Sequence, residues 1–401
     1  MSGNEEKNNK KEDLRLIIME LKKSAPPKEF LRLMRMLVIL DDNSFPLPIS
    51  TREGYLKTLA DLEDTLKSKS ISLRSYLEGD EGVKDAIKFH EECVVSVKKL
   101  AQDSLNKFPL EDPFLSDIVL YANQSIVTTI NNEGIALGEV SVGVLPTGHI
   151  NAQVGRVPIG GYYIAVDAGS ILFLGLIATI LSSLVQIDFS NDSLKLDTSM
   201  QKIVESLSNN KSVAKYFSAL LRAYKSRTFS RETIPSAVYD LLFNGLTQGQ
   251  QFLANMLTYI SLKFILCHEY SHIILGHLGS GSQTVNIGKE VVLMIQNHEQ
   301  REEIEADLKA MEIALKTYPP DEEIYKYLVV AGIEFVISVI EIVEEPYHQR
   351  PLDSHPKASI RRKSLKIWYQ NSFPNCLELS NIDFFVHNLV NKTWKLAQES
   401  C

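Results

Sequence analysis

From Phe252 to Leu266 the chain contains neither proline nor glycine and is largely apolar, and it then runs directly into His268-Glu269-Tyr270-Ser271-His272 before reaching Gly276. An uninterrupted apolar stretch of this kind predicts one long helix, with Gly276 as its natural end. Two histidines four apart lie on one face of a helix, so the rings of His268 and His272 can reach a single ion. Glu269 falls about 100° round the helix, too far to join the same tetrahedron easily. There it can hold a zinc-bound water and take its proton, the logic of an H-E-x-x-H helix with glutamate as general base.

Such an ion needs a third protein ligand. One known spacing, H-E-x-x-H-x-x-G-x-x-H, would put glycine at 275 and histidine at 278, but both positions are leucine. His277 projects roughly 180° from His268 on a continued helix, and is read as an exposed residue at the helix end. The other way to supply the ligand is a glutamate on a second helix. In REEIEADLKAMEIALK, residues 301–316, Glu305, Lys309, Glu312 and Lys316 share an arc of about 60° that reads as a solvated face. The opposite arc holds Ala306, Ala310, Met311 and Ala314 with Glu303 and Asp307 among them. Two carboxylates centred on an apolar face are costly unless something positive meets them. Glu303 is therefore read as the third zinc ligand. Asp307, one turn on, is read as the acceptor for the N–H of a metal-binding histidine. Glu302, at the fringe of the polar face, is the weaker candidate.

The rest of the chain frames this cluster. Its 401 residues are 44% hydrophobic and 23% charged with a formal net charge of -8, a globular composition without the concentrated Lys/Arg that nucleic acid requires. Four cysteines without CxxC spacing fit a reducing compartment. The polar N-terminus lacks the apolar core of a signal peptide, so a cytoplasmic location is expected. Residues 1–10 read as a disordered tail and 11–115 as a helical N-terminal lobe in which His90 is a surface residue. The predicted catalytic domain covers 116–401, with a sheet in 120–167, the active-site helix in 250–277 and the glutamate helix in 300–316. The sheet is expected from SIVTTINN, EVSVGVL and YYIAVD, with turns at 132–134 and 146–148. Two apolar stretches have bulk uses: residues 168–187 carry no charge over twenty positions and read as a buried helix, with a membrane span as the alternative. Residues 327–343 read as a core helix whose Glu334 and Glu341 make polar contacts. The fold class is thus α+β, mostly helical, with a zincin-like catalytic domain built on a small, mainly antiparallel sheet.

The pattern His268-Glu269-x-x-His272, followed about thirty residues later by Glu303-x-x-Ala306-Asp307, resembles the gluzincin metallopeptidases. Its E-x-x-A-D form is similar to that of the HtpX-type and CAAX-processing group. SHPKASIRRKSL, residues 354–365, is similar to the His-Pro…Arg segment of that group, with His355, Pro356 and Arg361 at the matching positions. The resemblance implies that His355 and Arg361 lie near the cleft, where they could stabilise the oxyanion or the site. It covers about residues 262–368. HtpX-type enzymes carry several membrane helices, whereas this chain has at most one candidate, residues 168–187. HEYSHIILGH also resembles the soluble phage-exclusion (Lit) type and the ImmA/IrrE regulators, in which the motif helix likewise ends in Gly-His.

Together these readings predict a zinc-dependent endopeptidase acting on an intracellular protein or peptide, with Glu269 as base; the phage-exclusion resemblance fits a conditional or defence-related protease. The N-terminal lobe would then be a platform for a regulatory partner, and no nucleic acid or membrane is expected. The alternatives are a non-catalytic zinc-binding sensor on a peptidase scaffold and a membrane-associated protease.

Overall fold

The structure, a computed structural model, describes residues 15–40, 113–190, 193–197, 200–209, 211–225, 245–278, 284–287, 291–294, 300–319, 323–344, 356–374 and 376–399. Its contacts group residues up to Phe45 with Val119–Cys401 and set Pro46–Ile118 apart. His90 and most of the segment expected as an N-terminal lobe lie outside the described residues. The architecture is mostly helical α+β.

One helix of that expected lobe is described. In α1, Pro27–Leu40, Phe30, Leu31, Leu33, Met34 and Leu37 recur at helical spacing and are buried. They cover the sheet, with Phe30 stacked on Tyr163 at 5.0 Å between ring centroids. The next helix, α2, is Pro113–Asn132. It overturns the strand expected over 125–132. Its Val119, Ala122, Ile126 and Ile130 fall three and four apart and are buried at 0–1% exposure. The turn expected at 132–134 is the stop of this helix, with Gly134 at φ 72°.

The sheet comprises β1 (Val140–Leu145), β2 (Ala152–Arg156) and β3 (Tyr162–Asp167), in the order β1-β3-β2. β2 and β3 form the expected antiparallel hairpin, with Val154 opposite Ile164. β1, however, runs parallel to β3, with Val142 opposite Ile164, so the sheet is mixed rather than mainly antiparallel. After β1 the chain does not close a hairpin, because residues 147–151 are tied to the start of the next helix. There Gly169 N–H donates to the Thr147 carbonyl at 2.8 Å and Asn151 N–H to Ser170 Oγ at 2.7 Å.

That next helix, α3 (Ala168–Ser182), is nearly all buried. The uncharged run of 168–187 is thus a core helix followed by the first residues of a strand, and no described helix is long and apolar enough to cross a membrane. A second small sheet pairs β4 (Gln186–Ser190) with β5 (Ser193–Asp197). Helices α4 (Met200–Asn209) and α5 (Lys211–Lys225) follow.

The predicted motif helix is α6, Gln248–Ile274. Thr247 and Gln250 cap it reciprocally: Gln250 N–H donates to Thr247 Oγ1 at 3.3 Å and Thr247 N–H to Gln250 Oε1 at 3.0 Å. It packs on α3, β2 and β3. A short hairpin, β6 (Thr284–Ile287) with β7 (Val291–Met294), separates it from α7 (Gln300–Lys316). The last helices are α8 (Glu323–Glu344), α9 (Ala358–Ser372) and α10 (Leu377–Glu399).

α8 is the expected core helix, and Arg362 on α9 bridges its Glu334 and Glu341, each at 2.6 Å. It crosses α6 where Gly332 meets Ile260 and where Ser261 Oγ donates to the Gly332 carbonyl at 2.9 Å. A methyl group at 332 would lie 2.6 Å from Ile260 Cγ2. Gly332→Ala must therefore push the two helices apart, and a loss of about 1–3 kcal/mol in chemical unfolding is expected.

Candidate metal centre

The centre is assembled from two helices that pack along each other. α6 contributes His268, Glu269 and His272 from its last two turns, and α7 contributes Glu303 from its first turn and Asp307 from its second. All five are buried, at 8%, 7%, 2%, 2% and 0% exposure in that order. The solvated face expected on α7 is formed as well: Glu305 pairs with Arg301 at 2.7 Å, and Lys316 with Glu312 at 2.8 Å.

The ligand atoms of His268, His272 and Glu303 lie within 4.8 Å of one another. His268 Nε2 and His272 Nε2 are 3.1 Å apart, and the Glu303 carboxylate stands 3.4 Å from the first and 3.7 Å from the second. Ligands bound at zinc distances with tetrahedral angles stand about 3.4 Å from each other. The three atoms are therefore spaced to share one cation, and this buried group could hold a metal ion. Glu269 is not among the three, as its offset round the helix requires.

Each histidine presents Nε2 because its other nitrogen is engaged elsewhere. His268 Nδ1 lies 2.9 Å from Asp307 Oδ1, and Arg361 on α9 clamps both Asp307 oxygens, Nε on Oδ2 and an Nη on Oδ1, each at 2.7 Å. Burial alone would raise the Asp307 carboxyl, but the Arg361 charge and these hydrogen bonds hold it below the ordinary aspartate range. Burial likewise opposes a charge on His268, yet its hydrogen bonds to Asp307 and Glu303 push its pKa up to about 10. A field that favours a proton at that ring also favours a metal cation.

Glu269 lies close enough to Tyr163 of the sheet for its charge to be felt there. Burial first, and the Glu269 charge second, hold the Tyr163 hydroxyl of β3 above the ordinary tyrosine range. α6 also packs on β2.

Arg361 meets the cluster through its two hydrogen bonds to Asp307. His355 lies outside the described residues; Pro356 beside it is buried. Glu302 is half-buried and not one of the converging group. His277 differs from its expectation. Its side chain is only 6% exposed, and its Nδ1 lies 3.0 Å from Nδ1 of His272. The helical projection does not hold past Gly276, where the chain is no longer helical.

Residues 178–366 match the family Peptidase U49. The matched span is just under half of the chain and includes His268, Glu269, His272, Glu303, Asp307 and Arg361. The match supports a peptidase, a hydrolase whose substrate is protein. Comparison with curated proteins and with solved structures gives no match.

Proposed function

We propose that this chain is a zinc-dependent endopeptidase, with His268, His272 and Glu303 as ligands and Glu269 as general base. The observation that carries this reading is the convergence of two Nε2 atoms and one buried carboxylate, spaced for a single cation, with a further buried carboxylate on the same helix kept out of the set. A site that only held metal for structure would have no use for Glu269.

When bound, zinc polarises the scissile carbonyl and makes a water acidic enough to attack near neutral pH. The chain's own residues do the rest. Asp307 accepts the Nδ1 hydrogen of His268, which leaves Nε2 as the donor atom, and Arg361 keeps Asp307 ionised. Glu269 takes the proton of the attacking water and delivers it to the leaving amine. His355, next to Pro356 and on the chain leading to Arg361, is the candidate donor to the oxyanion. An extended substrate would add to the edge of β2, which pairs only with β3 among the described residues and packs on α6.

Metal analysis of the purified full-length chain tests the reading. Stoichiometric zinc is expected, and His272→Ala should lose it. Proteomic comparison of cells expressing wild type or Glu269→Gln should then show a protein cleaved only by the wild type. A chain that carries no metal, or two identical proteomes, would sink the proposal.

A further inference from the structure

We infer that His277 is a positioning residue for His272: its Nδ1 accepts the Nδ1 hydrogen of His272 and so keeps His272 Nε2 turned to the metal centre. The inference rests on the metal-centre reading given above and deepens it.

The backbone explains how His277 comes to be there. α6 ends on Gly276 at φ 72°, a conformation open to glycine and disfavoured for other residues. Gly276 N–H donates to the Ile273 carbonyl at 3.2 Å, and His277 N–H donates to the His272 carbonyl at 3.0 Å. These two bonds are the Schellman helix stop, which folds the second residue past the helix back over the residue that begins its last turn. Here those two residues are His277 and His272. The contact that usually accompanies this stop is between apolar side chains. In this chain it is between two imidazoles, with ring centroids 5.1 Å apart and planes at 64°.

The chemistry of imidazole gives the contact a direction. A neutral ring has one nitrogen that donates and one that accepts. If His272 is to offer the Nε2 lone pair to a metal, its hydrogen must sit on Nδ1, and at 2% exposure that hydrogen needs a protein acceptor. For His268 the acceptor is Asp307. For His272, His277 Nδ1 lies at hydrogen-bond distance from its Nδ1, at 3.0 Å. His277 then carries its own hydrogen on Nε2, which faces Glu305 Oε2 at 3.5 Å, and Glu305 is in turn held by Arg301 at 2.7 Å. The two metal-facing rings are thus oriented by unlike partners. One is a fully buried carboxylate with its arginine, and the other is a histidine backed by a carboxylate on the solvated face of α7.

Two variants separate this role from simple packing at the helix end. His277→Leu keeps the bulk that a Schellman stop favours but removes the acceptor. His277→Asn loses bulk but can place its amide oxygen where Nδ1 stood. Zinc affinity of the full-length protein, measured by competition with a chelator, should fall about 10- to 100-fold in His277→Leu and stay close to wild type in His277→Asn. The visible absorption of the Co2+-substituted protein should change in the leucine variant and not in the asparagine variant. Thermal unfolding without metal checks that both are folded. The positioning role is overturned if His277→Leu binds zinc like the wild type, if both variants weaken zinc in step with lost stability, or if neither folds without metal. A wild type that binds no zinc overturns the metal centre itself and this inference with it, an outcome distinct from wild-type binding with an indifferent His277→Leu.

Discussion

Glu269→Gln is expected to lower kcat/KM by about 10²- to 10⁴-fold while leaving zinc content at the wild-type level. That loss corresponds to about 3–5 kcal/mol of transition-state stabilisation. The exchange removes little besides proton affinity, since glutamine has nearly the shape of glutamate, and a 7% exposed position without a full charge is no harder to fold. Metal should stay because His268, His272 and Glu303 converge without Glu269. The measurement uses whichever protein the wild type cleaves, together with metal analysis of both forms. Loss of zinc in the variant would make Glu269 a ligand and the general-base role wrong. Retained zinc with undiminished cleavage would move the base elsewhere. Zinc in both forms and cleavage in neither would favour the sensor reading over the enzyme.

How much of this site could be read from the sequence depended on where helical geometry applies. His268, Glu269 and His272 were legible because nothing between Phe252 and Gly276 interrupts the helix, so angular offsets along it hold. The same is true of Glu303 and Asp307, whose place among Ala306, Ala310 and Ala314 marked a buried face before any contact was known. His277 was misread by the same method applied one residue too far. Gly276 was recognised as a stop, but a stop of this type reverses the chain, and the angle computed for a continuing helix then points away from the true neighbour. Arg361 was singled out only by the likeness of residues 354–365 to a His-Pro…Arg segment, and helical geometry gave no signal for it. Its partner is 54 residues away and nothing in its own helix distinguishes it from Arg362, which turns to Glu334 and Glu341 instead.

The fold shows the same division. Residues 125–132 look like a strand because Ile126, Val127, Thr128, Thr129 and Ile130 are β-branched. The helix prevails because Val119, Ala122, Ile126 and Ile130 make one buried stripe, and because the threonine hydroxyls bond back within the helix, Thr128 to the Gln124 carbonyl at 2.8 Å and Thr129 to that of Ser125 at 3.0 Å. The parallel pairing of β1 with β3 was hidden for a different reason. Turn residues at 146–148 suggest a hairpin, whereas what decides the path is the bonding of 147–151 to Gly169 and Ser170, a contact between distant stretches of chain.

Arg361→Ala is expected to destabilise the metal-free protein by about 3–5 kcal/mol. Asp307 has no exposed surface, and its two oxygens are met by Arg361 and His268. Without the guanidinium a carboxylate is left in the interior facing one imidazole, and that uncompensated charge, more than the lost contact, is the source of the effect. Removing both partners should then cost less than removing one. In Asp307→Asn with Arg361→Met no charge is stranded, so much of the lost stability should return in urea unfolding of the metal-free chain. Zinc affinity should not return with it. An asparagine holds the His268 ring less firmly than a carboxylate, and loss of such a partner costs about 10- to 100-fold in metal binding. Stability and metal affinity therefore part company in the double variant. If they recover together, Asp307 serves only the packing of α7 and α9; if the single Arg361→Ala change leaves stability untouched, the clamp on Asp307 is not an internal ion pair at all.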